Sequence, residues 1–248
     1  MTNHIASIAL VTGANRSIGF EIARQLGQSG AHVLLSGRNA DRIRAAAKIL
    51  VAEGLNVTPL KLDVTDSASI AEAARWIADS FGRLDILVNN AAIRIEEYGL
   101  VPSKQPMTKW RETFDTNLFG VVELTQVLLP LIRKSPAGRI VNVSSLLGSV
   151  GTHSDCTSYA YSEMFKSMPA YSASKGGINS WTVHLAFELR NTPIKVNAVH
   201  PGYTKTDMNE GAGDLEVPMG ARTSVKMALL GPDGPSGKYV HLDTIVPW

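Results

Sequence analysis

Thr12-Gly13-Ala14-Asn15-Arg16-Ser17-Ile18-Gly19 is the stretch on which the fold turns. It ends an apolar run at residues 5–11 and opens a helical pattern at 18–28. Glycine lets the backbone turn sharply there and come close to a pyrophosphate, and the free N–H groups of the new helix favour an anion. A tight strand-to-helix turn in any α/β protein has the same spacing. Its place after the first strand, at the N-terminal edge, gives it weight.

Working outward, short runs rich in valine, isoleucine and leucine recur at 31–36, 56–61, 84–89, 139–144, 194–199 and 238–242. Helical spacing fills the intervals at 41–52, 67–81, 107–134 and 170–190. Strand alternating with helix predicts a parallel sheet covered on both faces, because right-handed crossovers place helices there. No composition break, repeat or low-complexity tract divides the chain. The expectation is one α/β domain over residues 1–248, doubly wound, with a seven-stranded parallel sheet. Segments 93–106, 148–169 and 203–219 interrupt the rhythm, as substrate loops or as plain surface loops.

The net charge of +2 over 248 residues leaves no basic tract or acidic tail that would suggest nucleic acid or a membrane surface as partner. A lone Cys156 cannot form an intrachain disulfide, and the six histidines show no metal-ligand spacing, so no metal site is expected. The start, Met1-Thr-Asn-His-Ile5, has no basic n-region, and no run approaches a membrane span. A cytoplasmic location is expected.

The end of the second predicted strand bears on cofactor choice. An acidic residue there suits the ribose hydroxyls of NAD, whereas arginine suits a 2′-phosphate. The chain reads Leu35-Ser36-Gly37-Arg38-Asn39, and Arg16 approaches from the glycine turn, so NADP(H) is favoured. Asp63 and Val64, after the third strand, are candidates to meet an adenine. Asn89 and Ala91, after the fourth, are candidates for the nicotinamide ribose. Plain turn chemistry accounts for both equally well.

Tyr171-Ser-Ala-Ser-Lys175 puts a phenol and an ammonium one helical turn apart on one face. A phenol titrates near ~10, and a nearby cation favours its ionised form. Lys175 is placed to supply that cation.

These motifs, in this order along nearly the whole chain, resemble the short-chain dehydrogenase/reductase family, and most closely its NADPH-dependent carbonyl reductases. The resemblance rests on Thr12-Gly13 through Gly19, Asn89-Asn90-Ala91, Asn117, Val143-Ser144-Ser145, Tyr171 with Lys175, and Pro201-Gly202 with Thr206. It implies a Rossmann-like fold and reduction of a ketone or aldehyde to an alcohol, reversibly, with NADP(H). Tyr171 would be the acid, Lys175 would bind the nicotinamide ribose and lower the phenol's pKa, and Ser145, rather than Ser144, would hydrogen-bond the carbonyl. Asn117 would support a water linking Lys175 to solvent, and Thr204 and Thr206 would meet the carboxamide and phosphate side. A homo-oligomer, dimer or tetramer, is implied through helices 107–134 and 170–190. The rival readings are an NAD-preferring secondary alcohol dehydrogenase and a cofactor-binding sensor or scaffold without turnover.

Two departures from the family pattern stand out. Ser17 replaces the middle glycine of the turn, which strains the chain if φ is positive there. Tyr171 lies 26 positions after Ser145 (171 − 145), longer than the commoner family interval. The extra stretch, near 152–167, holds Tyr159, Tyr161, Met164 and Phe165, which either roof an apolar substrate pocket or bury themselves as a satellite core.

Overall fold

The computed structural model describes residues 6–248, so Ile5 of the first predicted strand and the remaining N-terminal residues fall outside it. Eight strands form one sheet: β1 (Ile8–Val11), β2 (His32–Gly37), β3 (Val57–Lys61), β4 (Ile86–Asn89), β5 (Arg139–Val143), β6 (Lys195–Val199), β7 (Tyr239–His241) and β8 (Thr244–Ile245). Their order is β3-β2-β1-β4-β5-β6-β7-β8. All pairs are parallel except β7 with β8.

The expected seven parallel strands are thus corrected to seven plus a short antiparallel one. Leu242, at φ 50, reverses the chain after β7, and its N–H is held by the Thr223 hydroxyl at 2.9 Å. Val240 then pairs with Ile245.

The helices are α1 (Ser17–Gln28), α2 (Ala40–Ala52), α3 (Ser67–Phe81), α4 (Met107–Phe114), α5 (Gly120–Ile132), α6 (Val150–Ser154), α7 (Glu163–Lys166), α8 (Pro169–Glu188) and α9 (Val217–Ala228). Alternation along the strands divides the core between the two faces of the sheet. On β1, Ala9 and Val11 pack with Ile22 and Leu26 of α1 and Met227 of α9, while Ile8 and Leu10 pack with Ile70 and Ile77 of α3, Leu124 of α5 and Leu185 of α8. No helix among the described residues is long and apolar enough to cross a membrane.

The expected helix 107–134 is α4 and α5 joined by a π-helical turn, Asp115–Phe119. Such a turn inserts one residue per loop and re-aims the side chains that follow. Asn117 is buried inside it. α9 begins within what reads as loop 203–219, and α6 and α7 lie in the stretch between Ser145 and Tyr171. β1 is flanked by β2 on one side and β4 on the other, so the connections diverge from this point and open a crevice at the carboxyl ends of the strands.

Candidate active site

A cleft of about 340 Å³ runs along these strand ends. Gly13, Asn15, Arg16, Ser17, Ile18 and Gly19 line one end of it. Gly13 sits at φ +62, and a Cβ there would lie 2.9 Å from the Ala91 Cα; a Cβ on Gly19 would lie 2.5 Å from the Gly13 carbonyl. Only glycine fits these two positions. The Thr12 hydroxyl fixes the turn to the neighbouring strand end by accepting the N–H groups of Asn90 (2.9 Å) and Ala91 (3.0 Å).

Ser17 occupies φ 54, a left-handed conformation that strains a residue with a side chain. Its hydroxyl is buried without a hydrogen-bond partner. An orphaned donor beside a helix N-terminus, within a glycine cradle, fits the oxygens of a bound pyrophosphate.

Arg38 stands exposed at the end of β2, and Arg42 of α2 joins it on the cleft wall. Neither has an ion-pair partner among the described residues, and no carboxylate occupies the strand end. Arg16 does not point freely into the same corner. It pairs with Asp207 at 2.7 Å. Asp63 and Val64 line the cleft, with the Asp63 carboxylate also accepting the Thr65 N–H at 3.0 Å in a tight turn.

Asn89 needs correction. Its side chain is buried beneath the sheet edge, donating to the Thr125 hydroxyl (3.1 Å) and the Asn142 amide oxygen (2.8 Å), and it does not line the cleft. Asn90 and Ala91, just beyond the end of β4, line the wall instead. Pro201, Gly202, Thr204 and Thr206, after β6, line the opposite side.

Ser145, Tyr171 and Lys175 meet in this cleft. Ser144 and Ser145 both line the cleft, but the Ser144 hydroxyl is taken up by donating to Asn179 at 2.6 Å. The Ser145 hydroxyl accepts the Leu147 N–H at 3.3 Å and acts on the Tyr171 phenol to lower its pKa. Lys175, one turn further along α8, is buried, donates to the Val143 carbonyl at 2.7 Å and stands 5.7 Å from the Tyr171 ring centre.

Burial lowers the Lys175 pKa to about 8. The Tyr171 phenol is raised above its ordinary value, first by burial, with Ser145 and Arg94 pulling down and Glu96 pushing up. A lowering by Lys175 is expected; desolvation of the phenol outweighs the charges around it, while the lysine, with a pKa of about 8, keeps most of its charge near neutrality.

The Asn117 side chain is held by the segment after β4 and by α8. Its amide accepts the Ile93 N–H (2.8 Å) and donates to the Ile93 carbonyl (2.9 Å) and the Ser174 hydroxyl (3.1 Å). The side chain ties the segment after β4 to α8, and no hydrogen bond joins it to the lysine.

Several residues around the cleft escaped the sequence reading. Arg42 follows Arg38 by four positions, a spacing that would have exposed it. Arg94 reaches the segment after β6, donating to Asn209 at 3.0 Å and to the Met208 carbonyl. His200 is buried, with its pKa lowered to about 3 by desolvation and by His241. Its Nδ1 accepts the Leu146 N–H at 3.2 Å, which leaves the proton on Nε2, 3.4 Å from the Tyr159 hydroxyl. The stretch before Tyr171 divides between a small core and the cleft wall. Phe165 packs with Leu147, Ala160 and Met168 in a small core, while Tyr159 stacks against Tyr203 over the cleft (6.4 Å between centres, 23° between planes).

The family model described as short chain dehydrogenase matches residues 7–216. The chain is 35% identical to (-)-isopiperitenone reductase of Mentha piperita, covering 95% of this chain and 96% of that protein. It is 31% identical to salutaridine reductase from Papaver somniferum, whose structure superimposes with a TM-score of 0.82 over 96% of this chain and 100% of that one. An NADPH-bound carbonyl reductase from chicken fatty liver gives 0.85 at 26% identity, covering 98% and 94%.

Proposed function

The chain belongs to the short-chain dehydrogenase family, an oxidoreductase family, and from that premise we propose that it reduces a ketone or aldehyde to an alcohol with NADPH, reversibly. One observation carries the proposal. Ser145, Tyr171 and Lys175 line one cleft together with the glycine cradle, and Ser145 pulls the phenol's pKa down.

Gly13, Ser17 and Gly19 hold the pyrophosphate, Lys175 the nicotinamide ribose, and Arg38 with Arg42 the 2′-phosphate. Arg38 at the end of β2 and Arg42 on α2, neither in an ion pair among the described residues, with no carboxylate at the strand end itself, support NADPH over NADH. The NADPH in the chicken carbonyl reductase points the same way. When bound, the cofactor supplies the hydride.

Reduction builds negative charge on the carbonyl oxygen. The Ser145 hydroxyl donates to that oxygen, and the Tyr171 phenol donates to it and gives up its proton as the charge develops. The phenol is protonated at neutral pH, as the acid of the reducing direction must be, and the charge developing on the carbonyl oxygen draws its proton across. Asn117 holds the wall of the site by fixing Ile93 to α8.

Tyr171→Phe tests the reading, since it keeps the ring and removes the proton. We expect NADPH oxidation, screened over ketones, aldehydes and quinones, to fall by at least ~10³-fold with cofactor binding retained. Turnover at the parental rate ends the assignment.

The same reading includes a homo-oligomer. Phe119, beside α5, and Val183 and Phe187 of α8 are exposed, and such a patch is what a second copy would cover. Light scattering showing a single 26.6 kDa species would refute it.

A further inference from the structure

We propose that Glu96 is a positioning residue for this reaction: from the segment after β4 it holds the first turn of α8, and so the Tyr171 phenol, while presenting its charge to that phenol. The inference rests on the reading of Tyr171 as proton donor.

α8 starts without a cap of its own. Met168 at its N-cap has no side-chain acceptor, and Pro169 follows at the first helical position. Glu96, 75 positions earlier in the chain, fills the gap by accepting the backbone N–H of Tyr171 itself at 2.5 Å. A carboxylate in the first turn is also favoured by the helix dipole.

A cap alone does not account for the residue. The second carboxylate oxygen of Glu96 is buried with no hydrogen-bond partner, which is costly for an anion. A glutamine or serine would cap the helix without that cost. What the charge adds is its effect on the phenol, whose pKa it raises. Around the phenol stand Lys175 on the same helix, Ser145 at the end of β5, Arg94 on the same segment as Glu96, Tyr159 before α7, and His200 and Tyr203 after β6; Tyr239 of β7 also feels it. Arg94 opposes Glu96, and His200 is neutral. Burial is the first cause of the raised phenol, and Glu96 is the carboxylate that adds to it.

The sign follows directly. Reduction needs the protonated phenol, so its rate falls as pH rises through the phenol's pKa, and removing the Glu96 charge brings that limb to lower pH. Glu96→Gln keeps an acceptor for the Tyr171 N–H and discards the charge; Glu96→Ala discards both. The tyrosinate absorbance of each protein, referenced to its own Tyr171→Phe partner, reports this one phenol without any substrate. With Glu96→Gln we expect its midpoint, and the alkaline limb of kcat/KM for ketone reduction, to fall by about half a unit or more at a thermal midpoint no lower than the parent's. Glu96→Ala additionally lowers the thermal midpoint. An unmoved phenol in Glu96→Gln beside an inactive Tyr171→Phe overturns the role of Glu96 alone. Turnover surviving in Tyr171→Phe overturns the reading beneath it.

Discussion

Arg16 and Asp207 meet at 2.7 Å across the cleft, joining the glycine turn to the segment after β6 although 191 positions separate them. Both side chains are about two-thirds exposed, at 63% and 66%, so the pair contributes less than about 1 kcal/mol to stability. Its larger effect is on a ligand, because the carboxylate both occupies Arg16 and repels a phosphate. Asp207→Asn should leave the thermal midpoint nearly unchanged and lower the KM for NADPH by about fivefold at low salt, an effect of roughly 1 kcal/mol. An unchanged KM would show that Arg16 takes no part in phosphate binding.

Arg38 and Arg42 carry the cofactor preference. Arg38→Asp puts a carboxylate at the end of β2, where it would accept ribose hydroxyls and repel a 2′-phosphate. The ratio of kcat/KM for NADPH over NADH should fall at least ~100-fold, about 3 kcal/mol of discrimination. If the parental protein already prefers NADH, the assignment of both arginines is lost.

Ser17 sits in a conformation that glycine tolerates and serine does not. Ser17→Gly should stabilise the cofactor-free protein by about 1 kcal/mol, the relief of one strained residue partly offset by the added freedom of the unfolded chain. The orphaned hydroxyl goes with the substitution, so NADPH binding should weaken several-fold, by about 1 kcal/mol for one lost hydrogen bond. Calorimetry and titration separate the two; a tighter complex would mean that the hydroxyl gives the phosphate nothing.

Much of this arrangement is legible in the sequence where local chemistry marks it. α3 lies where its pattern places it, because Asp66 caps one end by accepting the Ala68 N–H and Gly82, left-handed, ends the other. α9 is obscured by its composition: Gly220, Thr223 and Ser224 share its buried face with Ala221, Met227 and Ala228, so its apolar stripe is weak. Small residues are required there, since a Cβ on Gly220 would meet the Thr204 side chain. The π turn around Asn117 has no periodicity of its own, and the strand end at Asn89-Asn90 does not say which amide faces the ligand. Arg94 and Glu96 lie in irregular chain, where only the fold brings them to Tyr171.

His200 links stability to acid. Its folded pKa, about 3, lies below the ordinary ~6.5, so between these values the unfolded chain binds the proton and the folded one does not. The stabilisation is complete above pH ~6.5 and is lost as pH falls toward 3, amounting to a few kcal/mol in all. His200→Gln should flatten the decline of the thermal midpoint between pH 6.5 and 4 relative to the parent, at some cost in stability near neutrality. Parallel declines in the two proteins would refute the assignment.

Tyr159 carries the last prediction, on substrate selection. Its ring stacks on Tyr203, meets Phe165 edge-on at 5.7 Å and remains 47% exposed, so it walls the cleft without being built into the core. A flat ring beside that face gains area and quadrupole contact that a small aliphatic ketone does not. Tyr159→Ala should therefore reduce kcat/KM for aryl or cyclic ketones about tenfold while changing that for a short aliphatic ketone less than about twofold. Tyr159→Phe keeps the wall and loses only the contact with His200, so it should behave like the parent toward both. Equal losses on large and small ketones would place the ring in the general support of the site and remove it from selection.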